Sequence, residues 1–296
     1  MGVQGAIFQK SPLVAEGIEE NEERLQLSEK KKTKSYQVLL SKRGGSETGS
    51  LEFIGEEPLL IRIDDKEYSV VMRTSGEELF HAAGFCLGEG IVDSPDDFET
   101  IEYNENLDAN VIDIRLKPGR RKKIHDLLER RSFISQTSCG ICGKKMIRDL
   151  HQIVTPVGND FEVGIDSIFD CLKKLSENQE HYQTTRGSHA ALIFSHRKEV
   201  ISFAEDVGRH NALDKAIGKA FMERKLDKAS LVVLSSRISY ELVQKAARAR
   251  LPVVISESRP TALAVEMGNA LNMTLAFSYG ESELVIVCGE SRIKRE

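Results

Sequence analysis

The chain has 296 residues, of which 40% are hydrophobic and 29% are charged, and this balance is typical of a globular protein with one large domain or two smaller ones. Its formal net charge of −5 gives no strong attraction to nucleic acid or to a membrane surface, so we expect neither as a partner. No apolar run approaches the ~18 residues of a membrane-spanning helix, and the start of the chain soon turns acidic, unlike a secretory signal.

Five cysteines, an odd number, argue against a framework of disulfides. Cys86, Cys171 and Cys288 are scattered among apolar neighbours, and we expect them to be small core residues. This usage fits a reducing compartment, so the expected location is the cytoplasm.

The first 135 residues are predicted to divide into a tail and an α+β region. Residues 1–35 have too few apolar positions for a buried face and are expected to form a flexible tail. Residues 36–135 are expected to form the α+β region. Its predicted strands are 36–40, 59–63, 68–72, 100–103 and 110–116, and its predicted helices are 75–88 and 120–131.

Residues 136–145 are predicted to form a mobile loop that carries Cys139 and Cys142. Glycines on both sides of this pair leave the sulfur atoms uncovered, and Lys144 follows closely. Because nearby cations favour the reactive thiolate over the thiol, the loop is predicted to carry exposed, reactive sulfur. The spacing alone leaves zinc binding open as well, because zinc sites and redox sites share it.

Residues 146–296 show a different pattern, in which apolar strands alternate with helices. The predicted helices are 164–176, 211–224, 240–248 and 261–271, and the predicted strands are 189–194, 200–204, 230–234, 252–256, 274–277 and 284–287. Because strands with continuous apolar runs are typical of parallel sheets, we expect an α/β domain with a mostly parallel sheet and helices on both faces.

Polar clusters stand at three predicted junctions between a strand and a helix, in residues 205–211, 235–239 and 256–261. Ligands of α/β sheets bind where strands end and helices begin. Each cluster contains one arginine, namely Arg209, Arg237 or Arg259, and His210 lies in the first cluster. Polar side chains at such places often serve only to cap the helix, but three arginines at three junctions favour an anionic ligand that carries phosphate.

Two of the most distinctive motifs are Cys-Gly-Ile-Cys-Gly at 139–143 and Gly-Arg-His-Asn-Ala-Leu-Asp-Lys at 208–215. Further motifs lie at 73–74, 84–91, 187–192, 236–246 and 260–265. Together and in this order they resemble the FdhD family, the accessory sulfurtransferases of formate dehydrogenase. The resemblance extends from about residue 36 to residue 293, and the run at 208–215 is its most specific part.

The resemblance implies a function in sulfur transfer. A cysteine desulfurase would load sulfur onto Cys139 as a persulfide, with Cys142 as its helper. The sulfur would then pass to the molybdenum or tungsten of bis-molybdopterin guanine dinucleotide, and the sulfurated cofactor would enter formate dehydrogenase. The resemblance also implies a fold similar to that of cytidine deaminases with a smaller N-terminal region, a cytoplasmic homodimer, and no intrinsic metal.

The cofactor-binding stretch of the family aligns with Phe277, Ser278, Tyr279, Gly280, Glu281 and Ser282. Relatives often carry an arginine in this turn, where this chain has Tyr279, Gly280 and Glu281. The turn is therefore expected either to contact the cofactor through its backbone or simply to join two strands. The residues at the helix starts that would suit this polyanion are Arg209, His210, Arg237 and Arg259.

Three alternatives stay open for the cysteine pair. A zinc deaminase needs His-x-Glu and Pro-Cys-x-x-Cys, but Ala191 stands at the glutamate position after His189, and Ser138 precedes Cys139. A zinc-binding module needs four ligands, and His151 is the nearest histidine downstream. A thioredoxin-like pair usually lies at a helix start near a βαβ unit, whereas this pair is flanked by glycines.

Overall fold

The structure is a computed structural model that describes residues 32–103, 109–131, 154–158, 161–280 and 282–294. The strands in these ranges are β1 (Thr33–Lys42), β2 (Gly45–Ile54), β3 (Glu57–Ile63), β4 (Lys66–Arg73), β5 (Phe98–Tyr103), β6 (Val111–Leu116), β7 (Val163–Gly164), β8 (His189–Ser195), β9 (Val200–Asp206), β10 (Ala229–Arg237), β11 (Val253–Ser258), β12 (Thr274–Tyr279), β13 (Glu283–Cys288) and β14 (Ile293–Lys294). The helices are α1 (Glu78–Gly88), α2 (Pro118–Arg131), α3 (Ile165–Asn178), α4 (Glu180–Thr185), α5 (Arg209–Met222), α6 (Tyr240–Arg248) and α7 (Ala262–Ala270). Short 3-10 helices span Pro95–Asp97, Leu226–Lys228 and Glu290–Arg292.

The helices and strands predicted from periodicity are present, with boundaries that differ by a few residues at most. The structure adds β2, the short pair β7 and β14, and helix α4, which the sequence pattern does not predict. Strand β1 begins at Thr33, before the predicted start of the first strand. In the described part of the chain, no helix is both long and apolar enough to cross a membrane.

The larger sheet is mixed, so the prediction of a mostly parallel sheet is wrong. Its strand order is β13-β12-β11-β10-β8-β9. Strands β10, β11 and β12 run parallel, whereas β8 is antiparallel to both β9 and β10, and β13 is antiparallel to β12. The connections that follow β8 and β12 are short turns, and a parallel pair requires a crossover of a dozen or more residues, so these neighbours pair as hairpins.

Helices cover both faces of this sheet, as predicted. In β10, Val232 and Leu234 point into the core that contains α1, α5 and α6, whereas Leu231 and Val233 point into the core that contains α3. A strand buried on both faces needs apolar residues at successive positions, which is why this segment is a continuous apolar run. The three cysteines predicted to be core residues, namely Cys86, Cys171 and Cys288, are buried in these cores.

A second sheet, with the strand order β4-β3-β6-β5, packs its inner face against α1. Leu59, Ile61 and Ile114 on that face belong to the same core as α5 and α6, so the N-terminal region and the larger sheet share one hydrophobic core. Strands β1 and β2 form a separate two-stranded antiparallel ribbon. Strand β2 has few apolar residues among its Gly, Ser, Thr and Glu, and so it lacks the alternation that predicts a strand.

Helices α1 and α5 cross with their backbones in direct contact. A β-carbon built on Gly84 would lie 1.8 Å from the carbonyl oxygen of Asp214, and one built on Gly218 would lie 1.8 Å from the carbonyl oxygen of Phe80. Both distances are far shorter than van der Waals contact, so the crossing requires glycine at both positions. This crossing fixes α5, which carries part of the candidate site, against the N-terminal region.

We expect Gly84→Ala to destabilise the protein by about 3 kcal/mol or more, because the added methyl group would force the two helices apart. Gly119→Ala is the matched control, because Gly119 lies in α2 and a β-carbon there would have nothing within 4 Å. The control should be unchanged or slightly stabilised, since alanine favours helix. Urea unfolding followed by circular dichroism measures both, and equal midpoints for the two variants would contradict the close crossing.

Candidate functional site

Asp206, at the end of β9, is fully buried and fixes the chain where α5 begins. Its carboxylate accepts hydrogen bonds from the backbone N–H groups of Thr74 (3.1 Å) and Gly208 (2.8 Å) and from the side-chain amide of Asn211 (2.8 Å). The Nζ atom of buried Lys215 lies 2.7 Å from Oδ2 of the same carboxylate. Since these donors compensate its charge, Asp206 is stable without water and serves as an anchor for the site.

The guanidinium groups of Arg209 and Arg237 lie near enough to one another, beyond this anchor, for their charges to interact. Arg209 begins α5 and is half-buried, and Arg237 ends β10 and is exposed. Burial, and then the nearby positive charge of Arg237, lower the pKa of Arg209, and the negative charge of Glu241 opposes this shift. Among the described residues, no carboxylate lies within ion-pair distance of either group, and the buried Nε atom of Arg209 has no hydrogen-bond partner. Two neighbouring cations with no carboxylate at ion-pair distance are groups suited to an anion.

The starts of α5 and α6 add backbone donors to this site. The residues that precede these helices, Gly208 and Ser239, make no side-chain cap. At α6, however, the carboxylate of Glu241 in the first turn accepts a hydrogen bond from its own backbone N–H. Such helix starts carry a partial positive charge that attracts anions. At α7, by contrast, the hydroxyl of Thr261 accepts a hydrogen bond from the N–H of Ala264 (3.3 Å). A side chain bonded to the first turn of the helix therefore accounts for the second and third junctions, but not for the first.

His210 connects the first two junctions. Its Nε2 atom lies 3.3 Å from Oγ of Ser239 and 3.1 Å from Oε2 of Glu241. The hydrogen bond from His210 is the largest of the causes that lower the pKa of Glu241 to about 2. The Glu241 carboxylate is therefore engaged by His210 and Ser239, and it does not form an ion pair with either arginine.

His189, at the start of β8, lies next to the same charged groups. It is opposite Asp206 in the register of β8 and β9. Burial, and then the charges of Arg209 and His210, lower the pKa of His189. The sequence alone favours a core histidine at this position, whereas the structure leaves it half-buried beside the anion site.

Arg259 and the turn between β12 and β13 form a second group of side chains. The guanidinium carbon of Arg259 lies 5.9 Å from the ring centroid of Phe277 and 5.7 Å from that of Tyr279. Tyr279 is 53% exposed. The N–H of Thr261 donates to the carbonyl oxygen of Ile238 (3.0 Å), which ties the third junction to the second. In the rest of the predicted cofactor-binding turn, Ser278 is half-buried, Gly280 and Ser282 are exposed, and Glu281 lies outside the described residues.

Glu205, in the first polar cluster, has a structural role that the sequence does not reveal. Its carboxylate accepts hydrogen bonds from the backbone N–H groups of His181 (2.9 Å) and Tyr182 (3.0 Å) and from the hydroxyl of Ser188 (2.8 Å). It therefore stabilises the start of α4, where a negative charge is favourable.

Sequence reasoning also misses the pairing of Asp206 with Lys215. One signal for the role of Asp206 is present in the sequence, since Asp206 stands two residues before Gly208, which precedes α5. An aspartate side chain often accepts a hydrogen bond from the backbone N–H two residues further on, as it does here. The buried lysine has no comparable local signal, since its partner is brought to it by the turn from β9 into α5.

The two cysteines of the predicted sulfur loop, Cys139 and Cys142, lie outside the described residues, as does His151. Within the described ranges, no three His, Cys, Asp or Glu side chains are close enough together to hold a metal ion. The described site therefore offers cations, backbone donors and an aromatic ring, which are groups that bind an anionic, ring-bearing ligand.

We expect the folded state to lose stability as the pH falls below about 6.5. His81 is fully buried, and burial, followed by the charges of Lys215, Lys245 and Arg73, lowers its pKa well below 6.5; the pKa of His189 is lowered as well. Below about pH 6.5 the unfolded chain binds a proton on each of these two histidines, and the folded chain does not. Each histidine therefore lowers the free energy of unfolding by up to ~1.4 kcal/mol for every pH unit below this value.

Urea unfolding above and below this pH measures the effect. His81→Gln should reduce the dependence of the unfolding free energy on pH, whereas His196→Gln, in the exposed turn after β8, is the matched control and should leave it as in the wild type. A wild-type midpoint that does not change between these pH values would show that the buried histidines do not govern stability.

Comparison with known proteins identifies the family. The sequence profile of the FdhD/NarQ family matches residues 54–294. Proteins named sulfur carrier protein FdhD from Streptomyces coelicolor and Mycobacterium tuberculosis are 32% and 36% identical to this chain, and the aligned parts cover 88% and 77% of this chain and 95% and 86% of those proteins. The fold is similar to the crystal structure of a protein from Desulfotalea psychrophila that is assigned as a formate dehydrogenase accessory protein. The two folds match with a TM-score of 0.71 over 88% of this chain and 99% of the other, and their sequences are 18% identical. The chain therefore belongs to the FdhD/NarQ family.

Proposed function

We propose that this chain is a sulfur carrier with sulfurtransferase activity, and that it sulfurates the cofactor of formate dehydrogenase. Relatives that align over most of its length are named sulfur carrier protein FdhD. The structural observation that supports the proposal best is the pair of guanidinium groups of Arg209 and Arg237 without a carboxylate partner among the described residues. A carrier that delivers sulfur to a cofactor with nucleotide groups needs such a pair to hold the pyrophosphate.

The sulfur is carried on Cys139. The Cys139 thiolate attacks the outer sulfur of a persulfide on a cysteine desulfurase, so that one S–S bond forms on Cys139 while the S–S bond of the donor breaks. The donor cysteine leaves as a thiolate, and the step involves no external oxidant or reductant. Lys144, close in sequence, favours the thiolate form that this attack requires. Cys142 supplies a second thiol that accepts the sulfur from Cys139, or that attacks the inner sulfur on Cys139, forms a Cys139–Cys142 disulfide and releases the outer sulfur as sulfide.

The acceptor is the molybdenum or tungsten of bis-molybdopterin guanine dinucleotide, which the protein holds as a substrate. The pyrophosphate groups are bound by Arg209 and Arg237, with His210 beside them, and by the N–H groups at the starts of α5 and α6. A guanine base stacks on the exposed ring of Tyr279 next to Arg259. The turn of residues 277–282 thus contacts the cofactor through a side chain, although it lacks the arginine that relatives often carry.

The other partners are the cysteine desulfurase that donates sulfur, the formate dehydrogenase that receives the cofactor, and a second copy of this chain. The protein acts in the cytoplasm. The buried, unpaired Cys86, Cys171 and Cys288 support a reducing compartment, where such thiols persist.

We expect Cys139→Ala to abolish persulfide formation and the maturation of formate dehydrogenase, because the variant lacks the sulfur atom on which the S–S bond forms. Mass spectrometry after incubation with a cysteine desulfurase and cysteine should show a gain of one sulfur atom on the Cys139 peptide of the wild type. Cys142→Ala is the matched control and should still be loaded. Loading that persists in Cys139→Ala, or about one zinc per chain held by the pair, would refute the carrier role.

Guanosine diphosphate should raise the melting temperature of the protein, since a ligand at a hundred times its Kd stabilises the native state by about 2.7 kcal/mol. Arg209→Ala and Arg237→Ala should each weaken binding by about tenfold or more, because each removes a charge-assisted hydrogen bond. Arg197→Ala, in the exposed turn after β8, is the matched control and should bind as the wild type does. Calorimetric titration that gives one affinity for all three variants would place the nucleotide elsewhere.

A further inference from the structure

His189 lies between the first two polar junctions of the larger sheet. Strand β8, which begins at His189, is flanked by β9 on one side and by β10 on the other. His189 is opposite Asp206, the last residue of β9. On the other side, the N–H of Ala190 donates to the hydroxyl of Ser235 (2.8 Å), two residues before β10 ends at Arg237. The register therefore brings His189 to the edge of the sheet at which β9 and β10 end.

The side chain of His189 lies on the face of the sheet that α5 and α6 cover. Ala191 lies in the core that contains these helices, and Ala190 lies in the opposite core, so the alternation of side chains puts His189 on the same face as Ala191. Burial lowers the pKa of His189, and the charges of Arg209 and His210, at the start of α5, lower it further. Two cations of the anion site are therefore close to the imidazole.

The imidazole of His189 makes no hydrogen bond with any residue in the described ranges. Asp206, opposite it, is already engaged, because each of its carboxylate oxygens has two donors within hydrogen-bond distance. A histidine that serves only to fill a core normally has its ring nitrogens hydrogen-bonded. The ring nitrogens of His189 are therefore left for a ligand beside the two arginines.

We propose that His189 is a third phosphate-binding group of this site, and that it takes up one proton from solvent when a nucleoside diphosphate binds. The proposal rests on the function proposed above. Without a ligand, the charges of Arg209 and His210 disfavour the imidazolium form. The carboxylates on the neighbouring elements do not offset them fully, since Asp206 is engaged by Lys215 and Glu241 by His210.

A bound diphosphate places negative charge among these cations and thereby favours the imidazolium form. The N–H that the ring gains then donates a charge-assisted hydrogen bond to a phosphate oxygen. The pKa of His189 is lowered without the ligand and rises when the ligand binds. Between these two pKa values binding takes up a proton, so the affinity falls as the pH rises, by up to about tenfold per pH unit.

Calorimetric titration with guanosine diphosphate at about pH 6 and about pH 8.5 tests this role. His189→Gln, which cannot take up the proton, should bind about tenfold or more weakly than the wild type near pH 6 and within about twofold of it near pH 8.5. His196→Gln, in the exposed turn after β8, is the matched control and should bind as the wild type does at both pH values. The terminal phosphate of the ligand also titrates near pH 6, and comparing variants at the same pH removes its contribution.

Proton uptake is the second measurement. When the titration is repeated in two buffers of different ionisation enthalpy, the wild type should take up more protons per bound nucleotide than His189→Gln. Equal affinities near pH 6, or a loss by the same factor at both pH values, would overturn the proposal. If binding then still depends on Arg209 and Arg237, the phosphate site stands without His189. A wild type that binds no guanosine diphosphate at either pH would overturn the phosphate site and this role together, while persulfide loading of Cys139 tests the carrier role separately.

Discussion

The buried carboxylate of Asp206 holds the structure together where its two larger sheets meet. It binds the backbone N–H of Thr74, which follows β4 of the N-terminal sheet, and Nζ of Lys215 from α5. Lys215 also donates to the carbonyl oxygen of Thr74 (2.7 Å), and Asn211 donates to that of Met72 (2.7 Å). Removing one partner from a buried ion pair typically costs about 3–5 kcal/mol, because the other charge is left uncompensated. The position of the first turn of α5, and with it the anion site, therefore depends on a sheet that does not itself contribute the arginines.

Helix α5 is held by a second buried ion pair, made by Asp214, the residue next to Lys215. Nζ of Lys245 in α6 lies 2.8 Å from both carboxylate oxygens of Asp214 in α5. The same Nζ atom lies 5.4 Å from the ring centroid of Phe85 in α1, so this pair forms where three helices meet. Burial raises the pKa of Asp214, and the charge of Lys245 opposes that shift. A helix fixed by two buried ion pairs and a glycine crossing presents its first turn in one orientation, which lowers the entropic cost of binding a ligand there.

The sequence predicts local elements well because hydrophobic periodicity is a local property. Helix α3 has Ile168, Leu172 and Leu175 on one face, and the structure buries that face. The direction of a strand, however, depends on neighbours that are distant in sequence. The antiparallel strands β8 and β13 are as apolar as β10, which runs parallel to β11. Their apolar runs therefore do not predict that the sheet is mixed. At the site, the sequence places Arg209, Arg237 and His210 at junctions that the structure brings together, but the engagement of Glu241 by His210 arises only from the packing of α5 beside α6.

The charge of the site is set by how the acidic groups nearby are paired, and the net charge of −5 has little bearing on it. Asp206 is neutralised from inside by Lys215, and Glu241 is engaged by His210, so Arg209 and Arg237 keep their positive charge at the surface. A pyrophosphate carries several negative charges, with which two guanidinium groups can form charge-assisted hydrogen bonds. A nucleic acid would instead need basic residues along an extended surface, and here the exposed Glu257 lies two residues before Arg259. We therefore propose that the arrangement suits a compact anion with a ring system better than a long polyanion.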